Sequence, residues 1–195
     1  MASNALARDV LWEAASGQHG YVTASQAEGL GVTRRALNQL AVRGTLEHAS
    51  YGVYRFVKYP FDQADPYMRA VLWTGAREAA LSHETALDLF EVSDINPGHI
   101  HMTVGVQRRI RRSGGVQYVV HRQDLHSEQI TWWREVPIVK LATAIHQCVR
   151  FGTPTYLLSQ AISNGHRHGR LTTSQRDELT ALIDAGSAAT TEGRI

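Results

Sequence analysis

The stretch YVTASQAEGLGVTRRALNQLAVRGTLEHASYGVYRF, residues 21–56, decides how the N-terminal part of the chain folds. Tyr21 and Val22 begin it as a short extended piece. Thr23 can cap a helix over Ala24 to Gly29, with Ala27 and Leu30 facing inward, because its hydroxyl can accept from backbone N–H groups that lack intrahelical partners. Gly31 makes the turn. Thr33 caps a further helix ending at Gly44, a residue suited to the left-handed position after a helix. Leu46 to His48 and Val53 to Phe56 then alternate as two strands, joined by a tight turn at Ala49-Ser50-Tyr51-Gly52. Upstream, Asn4 to Ala15 carries Leu6, Val10, Leu11 and Ala14 in helical register, and Ser16-Gly17 ends that helix. Three helices and a hairpin in this order and at these lengths describe a winged helix-turn-helix.

Tyr59-Pro60-Phe61 and Asp65-Pro66 interrupt regular structure and read as a linker leading into a helix over Asp65 to Thr74. The pattern then predicts a short strand at Ala79 to Leu81. A helix His83 to Phe90 follows, capped by Ser82, with Glu84 and Asp88 on its exposed side. Asn96-Pro97-Gly98 is a turn, and His99 to Val104 a strand. Arg108 to Gly115 reads as a loop or hairpin tip before a strand from Val116 to His121. Thr131 to Arg134 pairs with Val136 and Ile138, and helices over Val139 to Arg150, Thr153 to Asn164 and Thr173 to Ala185 close the chain. The expected fold class is α+β: a winged helix-turn-helix over residues 1–60, a mixed α/β C-terminal domain over 61–185, and a flexible tail of small and polar residues, 186–195.

The helix after Thr33 is two-faced. At about 100° per residue, Ala36, Leu37, Leu40 and Ala41 fall on one side, and Arg34, Arg35, Asn38, Gln39 and Arg43 on the other. The polar side holds no acid, whereas a merely solvated helix mixes signs. Arginine pairs bidentately with guanine, and Asn or Gln with adenine, so these types suit base edges. Val42 sits within the polar side, where a thymine methyl would suit it. Thr33, Arg34, Arg35, Asn38, Gln39, Val42 and Arg43 are therefore the expected readers of double-stranded DNA. The hairpin would add His48, Tyr51, Arg55 and Lys58, chiefly to phosphates.

Net charge is only +2 over 195 residues, but it is unevenly spread: +2 over residues 1–60, −5 over 61–107 and +5 over 108–150. Two basic patches separated by an acidic segment point to two separate surfaces able to meet polyanions. The second patch is Arg108, Arg109, Arg111 and Arg112. Such a cluster grips phosphate or a carboxylate-rich surface, or else is a solvated tip balanced by the acids of Asp88 to Asp94.

Several function classes find no support. Cys148 lies in the apolar run LATAIHQCV and reads as a buried thiol, which excludes a disulfide framework and fits a reducing cytoplasm. No apolar run approaches the roughly 18 residues of a membrane span, and MASNALARDV is no signal peptide, so a cytoplasmic protein without membrane contact is expected. His99 and His101 share a strand face, and His166 and His168 flank Arg167, but no third ligand stands at metal-binding spacing. Neither a phosphate-cradling glycine loop nor a nucleophile elbow is present. No metal, no cofactor and no enzymatic activity are expected. Trp132-Trp133 reads as half core and half rim.

Residues 21–56, together with SHETALDLFEVSDINPGHIHMTV (82–104) and REVPIVKLATAIHQCV (134–149), resemble the AbiEi family of antitoxins over roughly residues 5 to 165. The resemblance implies one half of a toxin-antitoxin pair whose toxin, AbiEii, is nucleotidyltransferase-like. It further implies a winged helix that binds inverted repeats in its own promoter and represses it, with antitoxicity in the C-terminal domain. Arg34, Arg35, Asn38, Gln39 and Arg43 would then read DNA, and Arg108 to Arg112 would be available for the antitoxic role. Inverted repeats call for two copies, as a preformed dimer or assembled on DNA. The Arg-rich loop and short C-terminus depart from the family pattern. Two rivals stand on the residues alone: a winged-helix regulator unrelated to a toxin, with a ligand- or protein-sensing C-terminal domain, and a nucleic-acid enzyme using the His-rich strand.

Overall fold

In the computed structural model, which describes residues 4–192, the N-terminal part runs α1 (Asn4–Ser16), β1 (Tyr21–Thr23), α2 (Ala24–Gly29), α3 (Arg34–Val42), β2 (Leu46–Ser50) and β3 (Val53–Phe56). Thr23 starts α2 with a capping box: its hydroxyl accepts from the Gln26 N–H at 3.1 Å, and Gln26 Oε1 accepts from the Thr23 N–H at 2.8 Å. Gly31 turns between α2 and α3 at φ +77°, a conformation a β-carbon disfavours. The Thr33 hydroxyl then accepts from the Ala36 N–H to begin α3. The strands pair antiparallel in the order β1-β3-β2. A register shift between His48 and Ser50 lets β2 run past the expected His48, so the turn is only Tyr51-Gly52.

Ala7, Leu11 and Ala15 of α1 meet Ala27, Val32, Leu37, Leu40, Leu46 and Phe56 in one apolar core. The buried line of α1 is displaced by one residue from the expected one, leaving Leu6 in solvent. Leu30 is also exposed, because it follows the last residue of α2 rather than belonging to its inner face.

Alternation along the strands sends Val22 and Phe56 to that core, and Tyr21 and Val53 to the other face of the sheet. That other face is covered by α4 (Asp65–Thr74), which touches β1, β2 and β3. The stretch expected as a linker is consequently tied down. The Asp62 N–H donates to Asp65 Oδ2 at 2.6 Å, and Asp62 Oδ2 lies 3.0 Å from His19 Nδ1. His19 Nε2 lies 2.7 Å from the Arg134 carbonyl oxygen, which joins the N-terminal part to the turn that follows residues 130–133.

The remainder contains β4 (Ala80–Leu81), α5 (His83–Leu89), β5 (Ile100–Val104), β6 (Tyr118–Arg122), β7 (Ile130–Trp133), β8 (Val136–Val139), α6 (Leu141–Phe151), α7 (Thr155–Arg167) and α8 (Thr173–Glu192). The five-stranded mixed sheet has the order β6-β5-β4-β8-β7. Leu81, Met102 and Ile138 of this sheet pack with Leu87, Ile145, Leu158 and Leu179 of the helices. The mixed α+β architecture is the expected one, with three local corrections. β5 and β6 run parallel, so Arg108 to Gly115 belongs to a crossover, residues 105–117, and not to a hairpin tip. Ser82 does not cap α5 through its side chain, which instead meets Thr103 and His83. The helix expected to end at Ala185 continues to Glu192, so most of the segment expected as a flexible tail, 186–195, is helical, and residues 193–195 lie outside the described residues.

Cys148 is fully buried, and burial pushes its thiol up to about 12, as an inert core cysteine requires. Trp132 is exposed while Trp133 packs on the core and meets Tyr67 edge-on at 5.5 Å. Among the described residues, no helix is long and apolar enough to cross a membrane.

Candidate nucleic-acid interface

The polar side of α3 is open. Arg34, Arg35, Asn38 and Arg43 are exposed, Gln39 is half-buried, and Leu37 and Leu40 are buried beneath them. Val42 is 89% exposed, so its methyl groups are open to contact from outside. Arg35, Asn38, Gln39, Val42 and Arg43 line one shallow open depression. The face therefore offers forked cations, an amide pair and a methyl-bearing contact on a single helix, the groups that base edges in a major groove can meet.

Of the hairpin residues, His48, Tyr51 and Lys58 are exposed, with His48 edge-on to Tyr54 at 5.2 Å. Arg55 is not available. It is 1% exposed, its Nε donates to Asp65 Oδ1 at 3.0 Å, and its guanidinium also donates to the Tyr59 carbonyl at 2.8 Å. The Phe61 ring lies over it at 3.4 Å. Arg55 projects from β3 on the face that α4 covers, so the expected phosphate contact is in fact the pin between hairpin and α4. Beside it, burial and then the Asp65 carboxylate push the Tyr21 phenol up to about 12.

The arginine loop divides by alternation. Arg108 and Arg112 turn inward and donate to the carbonyl oxygens of Gly75 and Trp73, at the C-terminal end of α4 where carbonyls lack helical partners. Ile110 between them packs on the core, while Arg109 and Arg111 point to solvent. Burial first, then the neighbouring Arg108, holds the Arg112 pKa below its ordinary value. The Arg112 guanidinium carbon lies 5.6 Å from the Tyr51 ring centroid. The loop therefore meets the hairpin turn at Tyr51, and no ion pair links the loop to Asp88 or Asp94 among the described residues.

A histidine cluster lies elsewhere. His99 is exposed and precedes β5, so its ring does not join the buried cluster, although its charge adds to the lowering of the His101 pKa. His101 Nδ1 instead lies 3.1 Å from His121 Nε2, and His83, at φ +52°, stacks on His121 with centroids 3.4 Å apart. Burial, then the neighbouring histidines, brings His83 down to about 3 and His121 to about 4, and burial lowers His101 as well. Ser82, Thr103, Gln147 and Gln123 continue the network by hydrogen bonds. The hydrogen bond between the two imidazoles needs an unprotonated nitrogen on the accepting ring, and the lowered pKa values of His83, His101 and His121 keep these rings neutral near pH 7. Among the described residues, no group of three or more His, Cys, Asp or Glu side chains is arranged to hold a metal ion.

Residues 10–57 match the family model described as "Transcriptional regulator, AbiEi antitoxin". The N-terminal unit is thus similar to the AbiEi type over those residues. The match spans α1 beyond its first turns through the end of β3, the part that carries the open α3 face. Among solved structures, the RV2827C protein from Mycobacterium tuberculosis is similar in fold, with a TM-score of 0.52, 15% sequence identity, and coverage of 91% of this chain and 75% of that one. No curated protein matches the sequence.

Within the matched stretch the structure brings together Arg34, Arg35, Asn38, Gln39, Val42 and Arg43, and removes Arg55. Thr33 is exposed, and its hydroxyl oxygen accepts from the Ala36 N–H while its O–H remains able to donate. Sequence reasoning missed the joining of Tyr51 to Arg112 and the gathering of His83 and His121 with His101. Each depends on contacts between distant segments, for which local spacing holds no signal. The alternation of apolar Ile110 between arginines was the one readable hint that Arg108 and Arg112 face inward.

Proposed function

We propose that the chain is an antitoxin that represses transcription from its own promoter. The carrying observation is the acid-free, solvent-open face of α3 held next to a hairpin, in a stretch similar to the AbiEi type. In this reading α3 enters the major groove with Arg35, Asn38 and Arg43 directed to base edges, Val42 against a thymine methyl, and Arg34 and Gln39 at the margins. His48, Tyr51 and Lys58 meet the backbone. Inverted repeats in the promoter are bound by two copies. Residues 1–60 form the DNA-binding domain, and residues 61–185 counteract a nucleotidyltransferase-like toxin of the AbiEii kind. The protein works in the cytoplasm, without enzymatic activity or cofactor.

The two roles separate in full-length protein. Cutting the chain at Asp65 would strand buried Arg55 without its carboxylate, so point variants are the cleaner tool. Co-expressed with the neighbouring nucleotidyltransferase-like gene, Arg35→Ala is expected to keep cells growing while a promoter reporter is derepressed. If the wild type represses the reporter but never relieves growth arrest, the chain is a regulator without a toxin.

A further inference from the structure

We infer that the crossover loop 105–117 extends the DNA-binding surface past the hairpin, with Arg109 and Arg111 holding backbone phosphates that α3 and the hairpin do not reach. The inference rests on the DNA reading above and adds a contribution from outside residues 1–60.

Position comes first. Arg112 stands against Tyr51, the exposed residue at the hairpin turn, so loop and hairpin form one continuous surface. Order comes second. The inward residues Arg108, Ile110 and Arg112 anchor the loop to the end of α4 and the core, and the Trp73 indole N–H donates to the Ser113 carbonyl at 3.0 Å. Two glycines permit this close approach. A β-carbon on Gly115 would lie 2.6 Å from the Trp73 ring, and one on Gly75 would collide with the Arg112 guanidinium. A loop already fixed in this way sacrifices little freedom when it binds.

Charge comes third. With 108, 110 and 112 anchored inward, 109 and 111 are left on the outside. Both are exposed, and neither is ion-paired among the described residues. Two outward guanidiniums at the edge of a DNA-binding hairpin suit the next phosphates along the duplex, each as a bidentate donor. An acidic protein could also take such a patch, but contiguity with the hairpin favours DNA.

The test uses the full chain, wild type and Arg109→Ala/Arg111→Ala, on promoter duplexes of increasing length at several salt concentrations. On a duplex extending past the hairpin, the dependence of log affinity on log salt is expected to be steeper for the wild type by about 1.8, from two contacts at about 0.9 each. On a duplex truncated beneath the hairpin the two proteins should bind alike, and Arg109→Lys/Arg111→Lys should restore most of the slope. Equal slopes on the long duplex, with promoter preference intact, would overturn the inference and leave the patch to an acidic protein. A wild type that binds promoter and random duplex equally would remove the DNA reading and this inference together.

Discussion

The α3 face and the seam between β3 and α4 both use arginine, in opposite ways. On α3, Arg34, Arg35 and Arg43 stand in solvent over a buried floor of Leu37 and Leu40. At the seam, Arg55 is enclosed by Asp65, the Tyr59 carbonyl and the Phe61 ring. The first arrangement keeps hydrogen-bonding capacity for an outside partner. The second spends it internally, which fixes the hairpin relative to the rest of the chain. An arginine is thus a recognition group only where nothing else in the fold claims its donors, and the same test divides Arg109 and Arg111 from Arg108 and Arg112.

The largest expected effect lies at the seam. Arg55→Leu or Asp65→Leu alone leaves a buried charge without its partner, and either should lower unfolding free energy by about 3–5 kcal/mol. The double substitution should lose less than either single one, read from urea midpoints. A single variant as stable as wild type would mean that Arg55 is not the pin and could return to the list of DNA contacts.

Next comes acid sensitivity of the other buried polar cluster. His83 and His121 have pKa values depressed to about 3 and about 4 from 6.5, so the unfolded chain binds protons that the folded chain does not. Stability is then full above about pH 6.5 and is lost as pH falls toward 4. His121→Phe should flatten the fall in melting temperature between pH 7 and 5, and an unchanged pH profile would contradict the buried neutral rings.

Smaller effects belong to the open face. Arg35→Ala should cost about 1–3 kcal/mol of promoter binding and relax base preference at its contact, measured by competition with single-base operator variants. Lys58→Ala should weaken promoter and random duplex alike and reduce the salt slope by about 1, a pattern that separates phosphate from base contact.

Much of the open face was legible in the sequence because it depends on helical periodicity alone. The 100° rule placed Leu37 and Leu40 inside and Val42 outside, and the two threonine caps fixed where α2 and α3 begin. Arg55 was misread for an equally definite reason. Alternation in β3 places it opposite Phe56, which looks like solvent until α4 covers that side. The crossover was misread because a connection of this length serves a hairpin or a parallel pair, and only the partner strand decides. The histidine cluster joins α5, β5 and β6, whose proximity is a property of the sheet order rather than of spacing.

The most direct measurement is the ratio of affinities of the full-length chain for its own upstream DNA and for a random duplex of equal length at one salt concentration. A base-reading α3 predicts promoter binding tighter by about 10³-fold or more, collapsing in Arg35→Ala/Asn38→Ala. Equal affinity for the two duplexes would contradict it.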